Sequence, residues 1–208
     1  SMSIGNLIAI RQDNIKRMLA YSTVAQAGYL MVGLAAISAL PGGSDNAGPS
    51  GVLFYLAGYG MTNLTAFAVI IAVSNKTKSD MIGTFAGLGR KSPFLASAMT
   101  LSMISLIGIP PTVGFMAKVY IFGAAMDTGL WWLVVIGVVN SAVSAYYYLR
   151  VVKVMYFSDI DEAEPLRPGI GVASAAFLAM AGIFIFGIFP SPIIEIAHKA
   201  VTSILVLE

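Results

Sequence analysis

Lys118 has the most chemistry to offer, because of where it stands. The run from Ser92 to Ala117 carries no Asp, Glu, Lys or Arg, and no charge lies within eight residues of Lys118 on either side. A lysine at membrane depth costs at least about 2.5–3.5 kcal/mol on insertion scales, and such residues face a bundle interior or a water-filled path. From mid-span, a side chain that spans about one helical turn is too short to snorkel to the headgroups. The chemistry such an amine offers is taking up and releasing a proton, as a relay or as part of an ion pathway. Metal chemistry is not expected: with no cysteine and a single histidine, His198, the chain has no thiolate, iron–sulfur, haem or zinc ligand set.

Just before Lys118 lies Gly108-Ile109-Pro110-Pro111-Thr112-Val113-Gly114. Pro110 and Pro111 remove two amide donors and clash with the preceding turn, while Gly108 and Gly114 let the backbone change direction. An interrupted helix follows. Non-helical backbone at membrane depth is tolerated where protein or a hydrated cavity satisfies the freed carbonyls, so the break predicts a polar interior nearby. A proline kink that only shapes packing is the alternative; the adjacent lysine favours the polar reading. The positive N-terminal end of the second half-helix is expected to lie near the amine and to disfavour its ammonium form.

Weaker candidates surround this pair. Thr112 sits inside the break. A short turn at Asp127 folds the next span back, which brings Asn140, Ser141 and Ser144 near the depth of Lys118; each also suits a plain interhelical hydrogen bond. Near the N-terminus, Asp13 or Asn14 can cap a helix in which Lys16 turns inward and Tyr21, Ser22 and Gln26 extend a polar track along one side. Lys16 with Arg17 equally suits a headgroup anchor. Thr62, Asn63 and Thr65 read as interhelical partners, and Tyr146, Tyr147 and Tyr148 as an interfacial aromatic belt. Gly87-Leu88-Gly89-Arg90-Lys91-Ser92 is not a phosphate loop, because Arg90 interrupts the Gly-Lys-Ser order and no strand precedes it.

The elements that must hold these residues are membrane helices. Of 208 residues, 58% are hydrophobic and only 11% charged, against about a quarter charged in soluble domains. Charge-free runs predict five helical spans, about 18–38, 52–74, 94–125, 130–155 and 171–189, with residues 1–10 as the end of a preceding helix, all in one transmembrane domain. Turn-rich pieces at Pro41-Gly42-Gly43-Ser44 and Pro165-Leu166-Arg167-Pro168-Gly169 separate them. The third span would be about 48 Å long as one helix, too long for a straight crossing. Arg11, Lys16, Arg17, Lys76, Lys78, Arg90, Lys91, Arg150, Lys153 and Arg167 fall on one side and only Lys199 on the other. The positive-inside rule then puts the N-terminal segment in the cytoplasm and the C-terminus outside. A net charge of +2 gives no sign of nucleic-acid binding.

Three runs carry a family resemblance: IKRMLAYSTVAQAGYL (15–30), SLIGIPPTVGFMAKVYIF (105–122) and SAYYYLRVVKVMYF (144–157). They resemble the antiporter-like membrane subunits of respiratory complex I, and the resemblance covers nearly the whole chain. That family's fold has fourteen helices in two inverted five-helix repeats, so this chain looks like its last five helices plus the end of the ninth. The resemblance implies an all-α polytopic membrane fold broken at Pro110-Pro111, and a place for Lys118 in a central axis of protonatable residues that couples quinone reduction elsewhere to proton pumping. Lys16 matches the lysine of the family's IKR motif. The family's first-half glutamate and lysine have no counterpart here, and Ala117 stands where the family often has glycine.

The expectation is a proton-translocating subunit of NADH:quinone oxidoreductase in the bacterial inner membrane, or in a thylakoid membrane if the source is cyanobacterial or plastid. Lys118 and Lys16 would carry the chemistry. Its partners would be other membrane subunits, including sibling antiporter-like subunits, and the lipid bilayer. No cofactor is expected in this chain, since no nicotinamide, flavin or iron–sulfur motif is present. The alternatives are a subunit of a multisubunit cation/proton antiporter or membrane-bound hydrogenase, and a non-conducting membrane scaffold.

Overall fold

The computed structural model describes residues 1–38, 47–158 and 165–205; the turn expected at Pro41-Gly42-Gly43-Ser44 lies outside them. The described residues are helical almost throughout: α1 (Met2–Ile10), α2 (Ile15–Ser38), α3 (Ala47–Thr77), α4 (Leu88–Lys91), α5 (Pro93–Ile107), α6 (Val113–Asp127), α7 (Trp131–Phe157), α8 (Ile170–Ile188) and α9 (Ser191–Leu205), with a 3₁₀ turn at Ile82–Phe85. Helices α2, α3, α7 and α8 are long and apolar enough to cross a membrane, and α5 is a shorter apolar helix.

Local chemistry sets the helix ends that matter here. Asn14 caps α2, its Oδ1 accepting the Arg17 amide at 3.1 Å. Pro93 opens α5 at a position where its missing N–H costs nothing. Gly108 closes α5 in the left-handed conformation, φ +89°, and α6 starts after Thr112. The long third span is therefore two helices joined by five residues. A Cβ on Gly114 would lie 1.9 Å from the Ser105 carbonyl oxygen, so only glycine allows the start of α6 to press against the end of α5.

Two apolar clusters sit above and below the break. One contains Ile15, Met18 and Leu19 of α2, Val69 and Val73 of α3, Met99 and Met103 of α5, and Val151 and Met155 of α7. The other contains Val32 and Ala36 of α2, Phe54 of α3, and Val113 and Ile121 of α6, with Ile183 of α8. Along α2 the buried residues Ser22 and Gln26 lie between the two sets, and on α3 so does Thr62. A polar layer thus crosses the bundle at the level of the break. Large apolar residues such as Leu64, Trp131, Phe177 and Leu178 face outward, as in a protein whose solvent is hydrocarbon.

The chain past the expected fifth span does not trail off. It turns at Pro190 and continues as α9, which packs along α3. Its sequence, SPIIEIAHKAVTSIL, is amphipathic rather than uniformly apolar, so a search for uncharged runs passes over it.

Candidate functional site

Helix ends leave four carbonyls without intrahelical donors, and the end of α5 shows where each goes. The Ile104 and Ser105 oxygens accept backbone N–H groups from Gly108 and Ile109. The Leu106 and Ile107 oxygens accept Lys118 Nζ, at 3.3 and 2.7 Å. Lys118 starts on α6 and reaches back to cap the helix before the break, so its amine lies at the negative end of the α5 dipole. The small push expected from the positive end of α6 is thus opposed by the negative end of α5. The third contact is Ser141 Oγ at 3.0 Å, and the Tyr29 ring centroid lies 4.5 Å from Nζ. Lys118 is 6% exposed. Gly108 makes this arrangement possible, since a Cβ there would sit 2.9 Å from Lys118 Cδ.

The Leu106 carbonyl links the amine to a second set of groups. It also accepts Gln26 Nε2 at 3.3 Å. The Gln26 side-chain oxygen accepts the Tyr55 hydroxyl, Nε2 approaches Tyr148 Oη at 3.4 Å, and Tyr148 is hydrogen-bonded to the Ser22 hydroxyl. From Lys118 a continuous buried polar chain therefore runs along α2 toward the end of the bundle that carries Lys16 and Arg150. Beside the amine and the Gln26–Tyr55 pair, a cavity of about 10 Å³ is bordered by Lys118, Gln26, Tyr55, Tyr59, Thr62 and Ser105, room for about one water. Thr62 and Ser105 share a hydrogen bond of 3.0 Å, and Ser105 Oγ accepts the Gly114 amide at 3.2 Å.

The structure sorts the sequence candidates by position. Lys118, Ser141, Gln26 and Ser22 belong to one connected set. Gly108, Pro110, Pro111 and Gly114 form the break. Thr112 is buried within it, its hydroxyl donating to the Ile109 carbonyl at 2.7 Å, a local bond that leads nowhere further. Asn140 turns away from Lys118 toward α1, where it pairs with Asn6 at 3.0 and 3.1 Å and with Ser3 at 3.1 Å. Ser144 donates to the Ser141 carbonyl at 2.7 Å, one turn back on its own helix. Tyr21 is half-buried and packs against the cluster around Met18.

Lys16 does not turn inward. Its amine pairs with Asp80 at 2.8 Å with 47% of the side chain exposed, because a carboxylate on the neighbouring loop offers it a partner in water. The Lys16 hydrogen bond, with another from Ser74, holds the Asp80 carboxyl below the usual carboxylate range. Arg150 pairs with Asp13 at the same end, and backbone bonds from Ile15 to Asp80 and from Ile82 to Asp13, each 2.8 Å, stitch the α1–α2 turn to the loop after α3.

The tyrosines are the largest correction. Tyr146 is exposed, as an interfacial residue would be, but Tyr147 and Tyr148 are fully buried. Tyr147 donates to Asn6 Oδ1 at 2.9 Å and Tyr148 belongs to the Gln26 set. Tyr29 and Tyr55 were not singled out by sequence. The available signal was spacing: Ser22, Gln26 and Tyr29 follow one another at helical intervals on one face of α2.

Residues 1–144 match the family described as NADH:quinone oxidoreductase/Mrp antiporter, TM. The chain is similar to NADH-quinone oxidoreductase subunit N of Trichlorobacter lovleyi, with 48% identity over 98% of this chain and 41% of that protein. It is similar to a chain of respiratory complex I from Thermus thermophilus, with 34% identity, a TM-score of 0.78, and coverage of 94% of this chain and 43% of that one. It also resembles a chain of the membrane-bound sulfane sulfur reductase, an archaeal respiratory membrane complex, with 30% identity, a TM-score of 0.84, and coverage of 96% and 39%. The chain spans about two fifths of the length of the curated relatives it matches. Matched by its family over most of its length, and with the fold of these solved subunits, it belongs to the NADH:quinone oxidoreductase/Mrp antiporter transmembrane family.

Proposed function

We propose that this chain is part of a proton-translocating, antiporter-like membrane subunit of NADH:quinone oxidoreductase, corresponding to the C-terminal part of subunit N. Lys118 is its proton-carrying group, alternating between ammonium and neutral amine as the charge on a neighbouring element changes. The Gln26, Tyr55, Tyr148 and Ser22 set is the polar route toward one end of the bundle. Quinone reduction takes place elsewhere in the complex, and this reading assigns no redox centre to the chain. The end carrying Lys16 and Arg150 faces the cytoplasm, and sibling antiporter-like subunits are the neighbours.

The observation that carries this reading is a lysine amine buried among helices and held by the freed carbonyls of a broken helix rather than by a carboxylate. A lysine present only for packing has no need of a broken helix whose last carbonyls it must cap. Replacing Lys118→Met in the assembled complex tests it. Loss of coupled pumping with assembly intact is expected; normal pumping in that variant leaves Lys118 a scaffold residue and overturns the reading.

The similarity to a sulfane sulfur reductase chain favours one second reading, the same relay serving a different soluble module. The subunits that co-purify with the chain decide between them.

A further inference from the structure

Lys118 must be accommodated in two protonation states without moving, since Gly108 and the α5 carbonyls fix where it lies. The ammonium form has three N–H donors, and three acceptors are in place: the Leu106 and Ile107 carbonyls and Ser141 Oγ. Hydrogen bonding is complete, but among the described residues the charge has no carboxylate partner. Among the described residues, the ion pairs with Asp13 and Asp80 lie with Arg150 and Lys16 instead. Besides carbonyl dipoles, what faces the ammonium is the ring of Tyr29, whose centroid is 4.5 Å from Nζ. A desolvated cation over an aromatic face is attracted by the negative face of the ring.

The neutral amine makes a different demand. It has two N–H donors and a lone pair that needs a donor. Of its three contacts only Ser141 can supply one, because carbonyls accept only. When Ser141 turns its hydrogen to the amine, its own oxygen is left to accept. Tyr29 Oη stands 3.1 Å from Ser141 Oγ and 3.3 Å from the Gly137 carbonyl, so its hydroxyl has two acceptors to choose between. With the ammonium, Lys118 donates to Ser141, Ser141 to Tyr29, and Tyr29 to Gly137. With the neutral amine, Tyr29 donates to Ser141 and Ser141 to Lys118. Apart from the N–H bond that breaks when the ammonium gives up its proton to the polar route, the change is a rotation of two hydroxyls and breaks no O–H bond.

We propose that Tyr29 is the positioning residue that serves both states of Lys118, its ring holding the ammonium and its hydroxyl, through Ser141, completing the shell of the neutral amine. The inference rests on the reading of Lys118 as the proton-carrying group. Tyr29 is 1% exposed and packs with Phe122 at 6.2 Å between ring centroids, which fixes the ring over the amine.

The assembled complex carrying Tyr29→Phe or Tyr29→Leu provides the test, with proton pumping per electron pair as the readout and Lys118→Met as the control. Phenylalanine keeps the ring and removes the hydroxyl; leucine removes both. A graded loss is expected, about two- to threefold in Tyr29→Phe and about tenfold in Tyr29→Leu, in line with the range of buried cation–π contacts and hydrogen bonds. Phenylalanines bearing one, two and three ring fluorines at position 29 keep nearly the same shape while draining the ring face, and pumping should fall stepwise along that series. This series still reads out if the leucine variant fails to assemble. A Tyr29→Phe complex equal to the unsubstituted one, or no decline with fluorine number, overturns the proposal. If Lys118→Met abolishes pumping while the position-29 series is flat, this inference alone fails; if Lys118→Met also pumps normally, the underlying reading fails.

Discussion

The sequence puts two lysines forward for the chemistry, Lys118 first and Lys16 with a headgroup anchor as its alternative, and the fold treats them in opposite ways. Lys16 lies at the end of the bundle, half in water, across from a carboxylate 2.8 Å away. Lys118 lies at mid-bundle with carbonyls, a hydroxyl and a ring. An opposite full charge within reach favours the charged form of the Asp80 carboxyl and locks the pair. Partial charges from a helix end solvate a cation without committing it, and they remain when the proton has gone. The residue type is the same; under the proposed function, the partner decides whether the amine is an anchor or an exchangeable group.

The comparison breaks first at the glycines of the interrupted helix. Gly114→Val places a side chain where even one carbon would collide with the Ser105 backbone, which cannot yield without separating α5 from α6. Overpacking of this kind costs about 3 kcal/mol or more, so little assembled subunit should be recovered from membranes, and wild-type yields would show that the two half-helices do not need this approach. Gly108→Ala is gentler. A left-handed conformation costs an L-residue about 1–2 kcal/mol, and the new Cβ would displace the Lys118 stem. Assembly with a lowered thermal midpoint and impaired pumping is expected. The matching change at the other end, Gly83→Ala, has open space around it and should alter neither quantity, with a stability change within about 0.5 kcal/mol.

What the sequence made legible follows the same division. The break was readable because two prolines between glycines leave the backbone few options, and Lys118 because an isolated charge in an apolar run has few places to go. The partners were not readable. Lys118 is held by Leu106 and Ile107, residues whose side chains give no hint that their carbonyls are the ligands. Tyr147 and Tyr148 looked interfacial because they stand before Arg150, yet the rotation of α7 turns them inward and leaves only Tyr146 outside. Asp80 as the partner of Lys16 required knowing that the loop after α3 returns to the start of α2, a long-range fact absent from local pattern.

At the bundle end, effects should be small. Lys16→Met removes one exposed ion pair, a class of interaction that contributes little to stability. Pumping should stay within about twofold of the parent complex, and the double change Lys16→Asp with Asp80→Lys should restore whatever is lost. Loss as complete as in Lys118→Met would erase the distinction between the two lysines.

The smallest effect is one of pH, and its sign follows from Asp80. Its carboxyl is held below the ordinary range by Lys16 and Ser74, so the folded state binds that proton less readily than the unfolded chain does. The stabilisation is present at every pH above the unfolded value, about 3.9 for an aspartate, and is lost only as pH falls through the depressed native value. Acidifying from pH 7 to pH 5 should therefore leave the joint between the α1–α2 turn and the 78–82 loop intact, as read by protease cleavage at Lys78 in membranes. Increased cleavage already at pH 6 would mean that some group other than Asp80 controls that end of the bundle, and that the ion pair with Lys16 is not what holds the loop.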